Sequence, residues 1–523
     1  MRVDASAPPD SGGIQRLSPR GGANRTSAMT FARSAPQRVP AYAVFVSLAL
    51  FACSLISSLI TYSPDVMPLI LGLATAEGCL AAWLALTHFS DPQHQAFAVV
   101  NLAFAVWYFV PMAVATFGGP TQEALAVFSA PHVVNSAVVV YGAYAVFTFA
   151  YASLLAYGHT PRFRAFDLQT DRPVPLGLLL IYAALGLVPF AGSVSSMVAA
   201  ILASRSPGSV IEGYMRNPES LSIYLLLYFA WAACLLGLAA YFSSAPVHQR
   251  RTMLVIGLGS GVAVSLALAI RSLLAIPLFP AVAVIMGRTR RRGLVRRIVV
   301  FGLLAVTLVY IADRMARFRN AGFFGEEPIS QPARYNSQML QDGDFFLELA
   351  YSRDVVPDQR PFSYESPLWV VLTGFIPHAW WPSKPTLQNS MWVMRFRMND
   401  PSGRVSGNIL PGILGQYWQV AGWVGVLIVG IWLALACSVL DRLSPKASPY
   451  VQYFLYAGSA VVFVSFRGLA TSNVIPLLIA AITVGCVSAV QRWRWRQGTR
   501  RTFVPRRSPG PPVTNRTPAP RSS

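Results

Sequence analysis

Two arginines interrupt otherwise apolar hairpins: Arg271 in ALAIRSLLAIPL and Arg467 in VSFRGLATSNVIPLL. A guanidinium at membrane depth costs at least about 2.5–3.5 kcal/mol on insertion scales, so it normally has an anionic partner. Its planar, permanently charged fork suits a phosphate better than lysine's ammonium does. On one reading, both arginines face a shared cavity and grip phosphate. On the other, each marks a hairpin turn and snorkels to the lipid headgroups. The hairpins echo each other, Arg-Ser-Leu then Ile-Pro-Leu against Arg-Gly-Leu then Ile-Pro-Leu, a weak sign of an internal repeat.

Other chemistry-bearing residues are sparse. Glu77 falls mid-helix among apolar residues, either as an arginine's partner or as a structural acid. His88, His94, His159 and His248 fall in short loops and read as solvated. The five cysteines (Cys53, Cys79, Cys234, Cys437 and Cys486) all lie in apolar runs and read as small buried hydrophobes, with no disulfide framework and no zinc spacing. No pair of His, Asp or Glu has metal-ligand spacing, so no metal is expected. The sequence also has no glycine-rich phosphate loop and no serine nucleophile elbow.

The elements that must position these residues are membrane spans. Of 523 residues, 54% are hydrophobic and 12% charged, whereas soluble domains carry roughly a quarter charged residues. Apolar runs of about 17 to 25 residues, the length that crosses a bilayer, recur from Ala41 to Val490. They predict helices near 41–61, 66–87, 96–118, 132–157, 176–201, 221–242, 253–270, 272–287, 298–312, 412–438, 451–466 and 468–490. The fold expected is an all-α polytopic membrane protein with about twelve transmembrane helices. Residues 1–38 and 492–523 are basic, low in complexity and poor in apolar residues, which predicts disordered tails.

The +21 net charge raises nucleic acid as a partner, but its placement argues against one. The basic residues gather in the tails and in alternate loops, as orientation signals do. Segments 159–175, 243–252 and RTRRRGLVRR (288–297), together with the tail RWRWRQGTRR, share one side when both termini are cytoplasmic. Spans one to nine then fill 41–312 and spans ten to twelve fill 412–490. Between them, 313–411 becomes one large periplasmic or extracytoplasmic loop. It carries ten basic and ten acidic residues and is rich in tryptophan, which predicts a folded cap. Within it, SPLWVVLTGFIPHAWW (366–381) is too short to span and predicts an interfacial helix.

The loop continues through FIPHAWWPSKP (375–385) and MWVMRFRMNDPSGR (391–404) to GNILPGILGQYWQVAGWVGVLIVG (407–430). Ile376, Pro377, Trp381, Pro382, Lys384 and Pro385, followed by Gly415, Tyr417, Gly422 and Gly425, resemble the motifs of the bacterial oligosaccharide repeat-unit polymerase family, which makes O-antigen and exopolysaccharide. The hairpins at Arg271 and Arg467 are also similar to that family's. His378 stands where the family usually has arginine, and Gln416 where glutamate is common. Gln416 therefore cannot serve as a general base.

The resemblance implies a glycosyl-block transferase at the outer face of the bacterial cytoplasmic membrane, working without a cofactor. Its substrate would be a polyprenyl-diphosphate-linked oligosaccharide. A flippase and a chain-length regulator are the implied protein partners, with membrane lipid around the spans. Arg271, Arg467, Arg404 and Lys384 would hold the diphosphate. His378, Asp344 or Glu348 would take the acceptor's proton, and Trp380, Trp381 and Tyr417 would hold sugars. A glycan ligase and a lipid-linked saccharide flippase or transporter are the alternatives.

Orientation is directly testable. A cysteine placed at Ser337 should react with an impermeant thiol reagent on intact spheroplasts, and one at Ser508 should not. Labelling at Ser508 alone would reverse the topology.

Overall fold

A computed structural model describes residues 41–60, 66–89, 91–116, 130–156, 168–190, 221–268, 272–288, 345–373, 380–383, 411–469 and 471–502, with single positions 193, 195, 198 and 376. All belong to the compact unit Ala41–Ser523. Every regular element among the described residues is a helix. In chain order they are α1 (Ala41–Ile60), α2 (Val66–His88) and α3 (Gln95–Phe104), which runs through a π-helical turn (Ala105–Phe109) into α4 (Val110–Thr116). Next come α5 (Ala130–Ala156), α6 (Leu176–Leu187), α7 (Leu221–Tyr241), α8 (Val247–Leu268) and α9 (Ser272–Arg288). Two short helices, α10 (Phe345–Val355) and α11 (Pro367–Thr373), precede α12 (Gly412–Leu443), α13 (Pro449–Ser465) and α14 (Thr471–Thr502).

Among the described residues, five stretches are long and apolar enough to cross a membrane: Met67–His88, Gln95–Thr116, Pro131–Ala156, Gly412–Lys446 and Asn473–Trp493. The expected count was about twelve. Ala43–Ile56, Leu176–Phe190, Leu226–Tyr241 and Ile276–Ile285 are further apolar stretches, lying within α1, α6 and the turn after it, α7 and α9, and α8 opens on the polar turn VHQRR. The expected span at 298–312 lies outside the described residues. At the other end, α14 continues to Thr502, through the first part of the segment expected to be a disordered tail. Arginines are concentrated in its last turns, where positive charge favours the carbonyl end of the helix macrodipole.

Small residues let α7 and α8 meet backbone to backbone. A Cβ added at Gly257 would sit 2.5 Å from the Ala233 carbonyl oxygen, and one at Gly237 2.5 Å from that of Met253. Ala233 and Gly237 on α7 face Gly257 on α8, and Gly261 one turn on packs against Cys234, a small-residue spacing of four that brings helices close in lipid. A second core forms on α5, where Tyr141, Tyr144, Phe147, Thr148 and Tyr151 line one buried stripe. Its hydroxyls are all occupied. Tyr141 donates to the Ile70 carbonyl at 2.8 Å, Tyr144 to the Asn101 side chain, and Tyr151 to Asp441 at 2.7 Å.

Asp441 ties three elements together. Its carboxylate also accepts the backbone N–H groups of Ala96, at 2.7 Å, and Phe97, at 3.1 Å. It thereby caps the first turn of α3 from the far end of α12. His94, at the N-cap position of α3, makes no cap bond of its own. It is 4% exposed, not solvated as expected, with Nδ1 3.2 Å from the Tyr151 hydroxyl. His88 is half-buried and stacks edge-on against it, while His248 is exposed. Of the cysteines, Cys234 and Cys437 are buried, but Cys53, Cys79 and Cys486 are exposed on helix surfaces.

The long helices have two distinct ends. At one, Arg442 donates to the Leu154 carbonyl, Ser448 N–H to that of Leu168 and Ser244 N–H to that of Asp171. At the other end of α5, Arg353 of α10 donates to the His132 carbonyl at 3.2 Å. The connections at 168–174 and 243–246, which belong to the segments expected on the cytoplasmic side, therefore lie opposite the short helices of the 313–411 segment.

Gly257→Ala should destabilise the detergent-solubilised protein by about 1–3 kcal/mol, because backbone blocks the added methyl. Gly259→Ala meets open space and should be neutral or stabilising. Thermal unfolding of the pair measures the difference, and equal midpoints would remove close α7–α8 packing as a stability determinant.

Candidate functional site

The junction forms at the end of the bundle that carries α10, around a break in α12. Ala421 (φ −158°, ψ 25°) and Gly422 (φ +56°, ψ −130°) leave helical geometry. A positive φ costs glycine little and a side chain much. Beyond the break, about 21 residues remain to Leu443, roughly 32 Å of helix at 1.5 Å per residue, enough for one crossing. Before it, residues 412–420 form a half-helix. Its residues Gly412 to Gln419 are buried in protein, whereas Trp423, Val424, Leu427, Ile428, Ile431 and Leu435 beyond the break face outward.

Breaking a helix frees carbonyls that must find donors. The Ser363 N–H donates to the Gln419 carbonyl at 2.9 Å and the Tyr364 N–H to that of Val420 at 3.1 Å. The extended segment after α10 thus fills the gap. Gly425 packs against the Tyr417 carbonyl so closely that an added Cβ would overlap it. Three of the four glycine and tyrosine positions after the loop, Tyr417, Gly422 and Gly425, are therefore parts of one sharp turn in the chain. The fourth, Gly415, would meet the Ser352 side chain of α10 at 3.0 Å.

Three further elements converge on the half-helix. The turn after α13 receives its start: Ile413 N–H donates to the Phe466 carbonyl at 3.0 Å, and Leu469 N–H donates to Gln416 Oε1 at 2.8 Å. This turn carries Arg467 and closes through Gly468, whose φ of +128° suits glycine. From the π-helical turn, the Tyr108 hydroxyl accepts Leu414 N–H at 3.3 Å, and Trp107 packs between Phe345 and Phe463. Such π-turns recur at functional sites, where the extra residue redirects side chains. From α10, Phe345 touches Gly412, and Ser352 Oγ accepts from Gln419 Nε2 at 3.1 Å. Glu348 lies between Phe345 and Ser352 on that same helical face and is 3% exposed.

A cation fastens α10 from outside. Arg353 lies over the Trp418 ring at 4.7 Å, while the indole N–H of Trp418 donates to the Val356 carbonyl at 2.9 Å. Burial pushes the Arg353 guanidinium down to about 10, opposed by the nearby Asp358. It remains a cation at neutral pH, as the stacking requires.

Of the sequence-predicted site residues, Glu348, Tyr417 and Arg467 gather here. Tyr417 is buried at 4% exposure. Trp381 is half-buried, edge-on to Trp369 at 6.4 Å with its indole N–H toward Ser383, and Trp380 is 82% exposed. Arg271, Asp344, His378, Lys384 and Arg404 lie outside the described residues. Helix α9 begins one residue after Arg271 and packs along α13, which ends two residues before Arg467. Sequence reasoning missed Tyr108, Trp107 and the capping role of Asp441. Among the described residues, no group of His, Cys, Asp and Glu could hold a metal. No family model, curated protein or solved structure matches the chain.

Gly422→Ala should cost about 1–2 kcal/mol from its positive φ and from a Cβ 3.1 Å from the Phe362 ring. It should also loosen the junction, which increased amide hydrogen exchange at Ser363 and Tyr364 would report. Unchanged protection there would dissociate the break from the 363–364 pairing.

Proposed function

We propose that this chain is an integral membrane enzyme that polymerises polyprenyl-diphosphate-linked oligosaccharide repeat units at the outer face of the cytoplasmic membrane. The observation that carries the proposal is the junction itself. It unites the Gly415–Gly425 motif, the Arg467 turn and Glu348, three segments that the sequence resemblance singled out separately. A membrane setting is supported by the outward apolar stripe on α12 and by Phe45, Leu69, Val255 and Ile482, each more than half exposed. In water such a surface would drive aggregation; in lipid it matches the solvent. The twelve-span topology, with 313–411 outside, is supported by the opposite ends of the bundle taken by α10 and by the 168–174 and 243–246 connections.

The reaction joins an acceptor hydroxyl to the anomeric carbon of the donor glycan. The new C–O bond forms as the bond from that carbon to the diphosphate oxygen breaks, and the acceptor's proton passes to a base. Glu348 is the candidate base among the described residues, being a carboxyl at the junction. Arg467 is the candidate cation for the departing diphosphate, with Arg271, Arg404 and Lys384 proposed from sequence. Tyr417 lies within the buried turn, so its part is to shape the site, while the exposed Trp380 and half-buried Trp381 and Trp369 form the better sugar platform.

A transporter of the same lipid-linked glycan is the second reading. It is favoured by Glu77, 1% exposed in the middle of the Met67–His88 span. The break in α12 favours the enzyme, since it comes where the helix leaves the protein interior and not at the middle of a crossing.

Deleting the gene separates the readings. Loss of a polymerase leaves single repeat units on lipid outside, loss of a ligase leaves polymer on lipid, and loss of a flippase leaves units inside. In the complemented strain, Glu348→Gln and Arg467→Lys should each lower polymer synthesis about 30- to 1000-fold, or roughly 2–4 kcal/mol of transition-state stabilisation. Membrane levels should match the parent. Full-length polymer at parental yield from both variants would refute these roles.

A further inference from the structure

Gln416 is 5% exposed and has a fixed orientation. Its neighbour is a donor, the Leu469 N–H, so the amide oxygen must be the end that faces it, at 2.8 Å. The NH₂ group is thereby turned the other way, where Nε2 has no hydrogen-bond partner among the described residues. The docked turn holds a second such group, the hydroxyl of Ser465, in a residue 1% exposed. Backbone donors at this end of the half-helix are already engaged: Ile413 N–H by the Phe466 carbonyl and Leu414 N–H by Tyr108. What the junction keeps in reserve is side-chain donor capacity beside the turn that carries Arg467. A buried donor left unmade costs about 1–3 kcal/mol, so its retention calls for a partner.

We propose that Gln416 is a two-ended site residue: Oε1 positions the Arg467 turn, and Nε2, assisted by Ser465 Oγ, donates to an anionic phosphate oxygen of the ligand. Glutamate at this position would keep the first role, because a carboxylate accepts the Leu469 N–H at least as well. It would abolish the second, having no N–H and adding a negative charge toward the anion. The amide is thus a specificity determinant for an anionic oxygen at this junction. The assignment rests on the function proposed above for the ligand's diphosphate and for its lipid portion.

The test uses the full chain in nanodiscs with three probes: geranylgeranyl diphosphate, geranylgeraniol and inorganic pyrophosphate. Gln416→Glu should unfold at the parental temperature yet bind both diphosphates about ten- to a hundred-fold more weakly, the loss of a hydrogen bond to a charged group. Gln416→Leu, which removes both ends, should lose binding and also lower the unfolding temperature. Ser465→Ala should weaken diphosphate binding in the same direction without moving the unfolding temperature. If Gln416→Glu binds geranylgeranyl diphosphate within twofold of the parent, the donor role is overturned while a lipid-diphosphate enzyme stands. If pyrophosphate binds as tightly as the prenyl compound and both depend on Gln416, the donor role stands and the lipid-linked donor is overturned. A parent chain that binds neither diphosphate overturns both.

Discussion

The break at Ala421–Gly422 is the constraint on which the site depends. An unbroken α12 would run 32 residues, about 48 Å, well beyond the roughly 30 Å of a hydrocarbon core. Gly422 resolves the excess by letting the chain turn back on itself, so that nine residues fold into the protein and the remainder is free to cross. The turn exposes the Gln419 and Val420 carbonyls, and these recruit residues 363–364. That recruitment draws the segment after α10 over the half-helix and with it Glu348. Meanwhile the start of the half-helix docks on the 466–469 turn. A single left-handed glycine therefore sets which three segments meet.

Rigidity at the opposite end makes that meeting reproducible. Asp441 lies near the end of the same helix and binds the first turn of α3 together with Tyr151 of α5. Three acceptances by one buried carboxylate fix the relative height of α3, α5 and α12. The π-helical turn lies on the continuation of α3, so its Tyr108 reaches Leu414 at a height set from the far end of the bundle. Positional information thus passes along helices as rigid rods and not through any contiguous polar path.

Much of this was legible in the sequence, for reasons that differ by element. The Gly-x-x-Gly after Tyr417 was marked out only by the family resemblance, and the break it makes was not foreseen, because 412–438 reads as one continuous apolar run although positive φ and close backbone approach both demand glycine there. Span positions were readable from hydropathy, and five of the expected spans have helices long and apolar enough to cross among the described residues. The run 272–287 is matched by α9 (Ser272–Arg288), while most of 191–201 and the run 298–312 lie outside the described residues. His94 was misread because a short loop between apolar runs predicts solvent, whereas here the loop is tucked under Asp441 and Tyr151. One signal was available: an acid in the last turn of an apolar helix opposes the macrodipole and needs a partner elsewhere. Helix α3 likewise starts at Gln95 without a Ser, Thr, Asp or Asn cap, so a cap from another segment was implied. The π-turn had no readable signal, since AVWYF is ordinary helix sequence and only packing selects the extra residue.

The same logic explains why the departure at Gln416 matters more than its conservative appearance suggests. Glutamate and glutamine are isosteric, and either could hold the Leu469 N–H, so the fold would tolerate both. They differ only at the end that points away from that contact, and there one is an acceptor and the other a donor. The half-helix already receives the helix that carries Glu348 and the turn that carries Arg467. A neutral donor at 416 leaves room for an anion where a second carboxylate would repel it. Substitution at this one position changes what the junction can hold without changing how it is built.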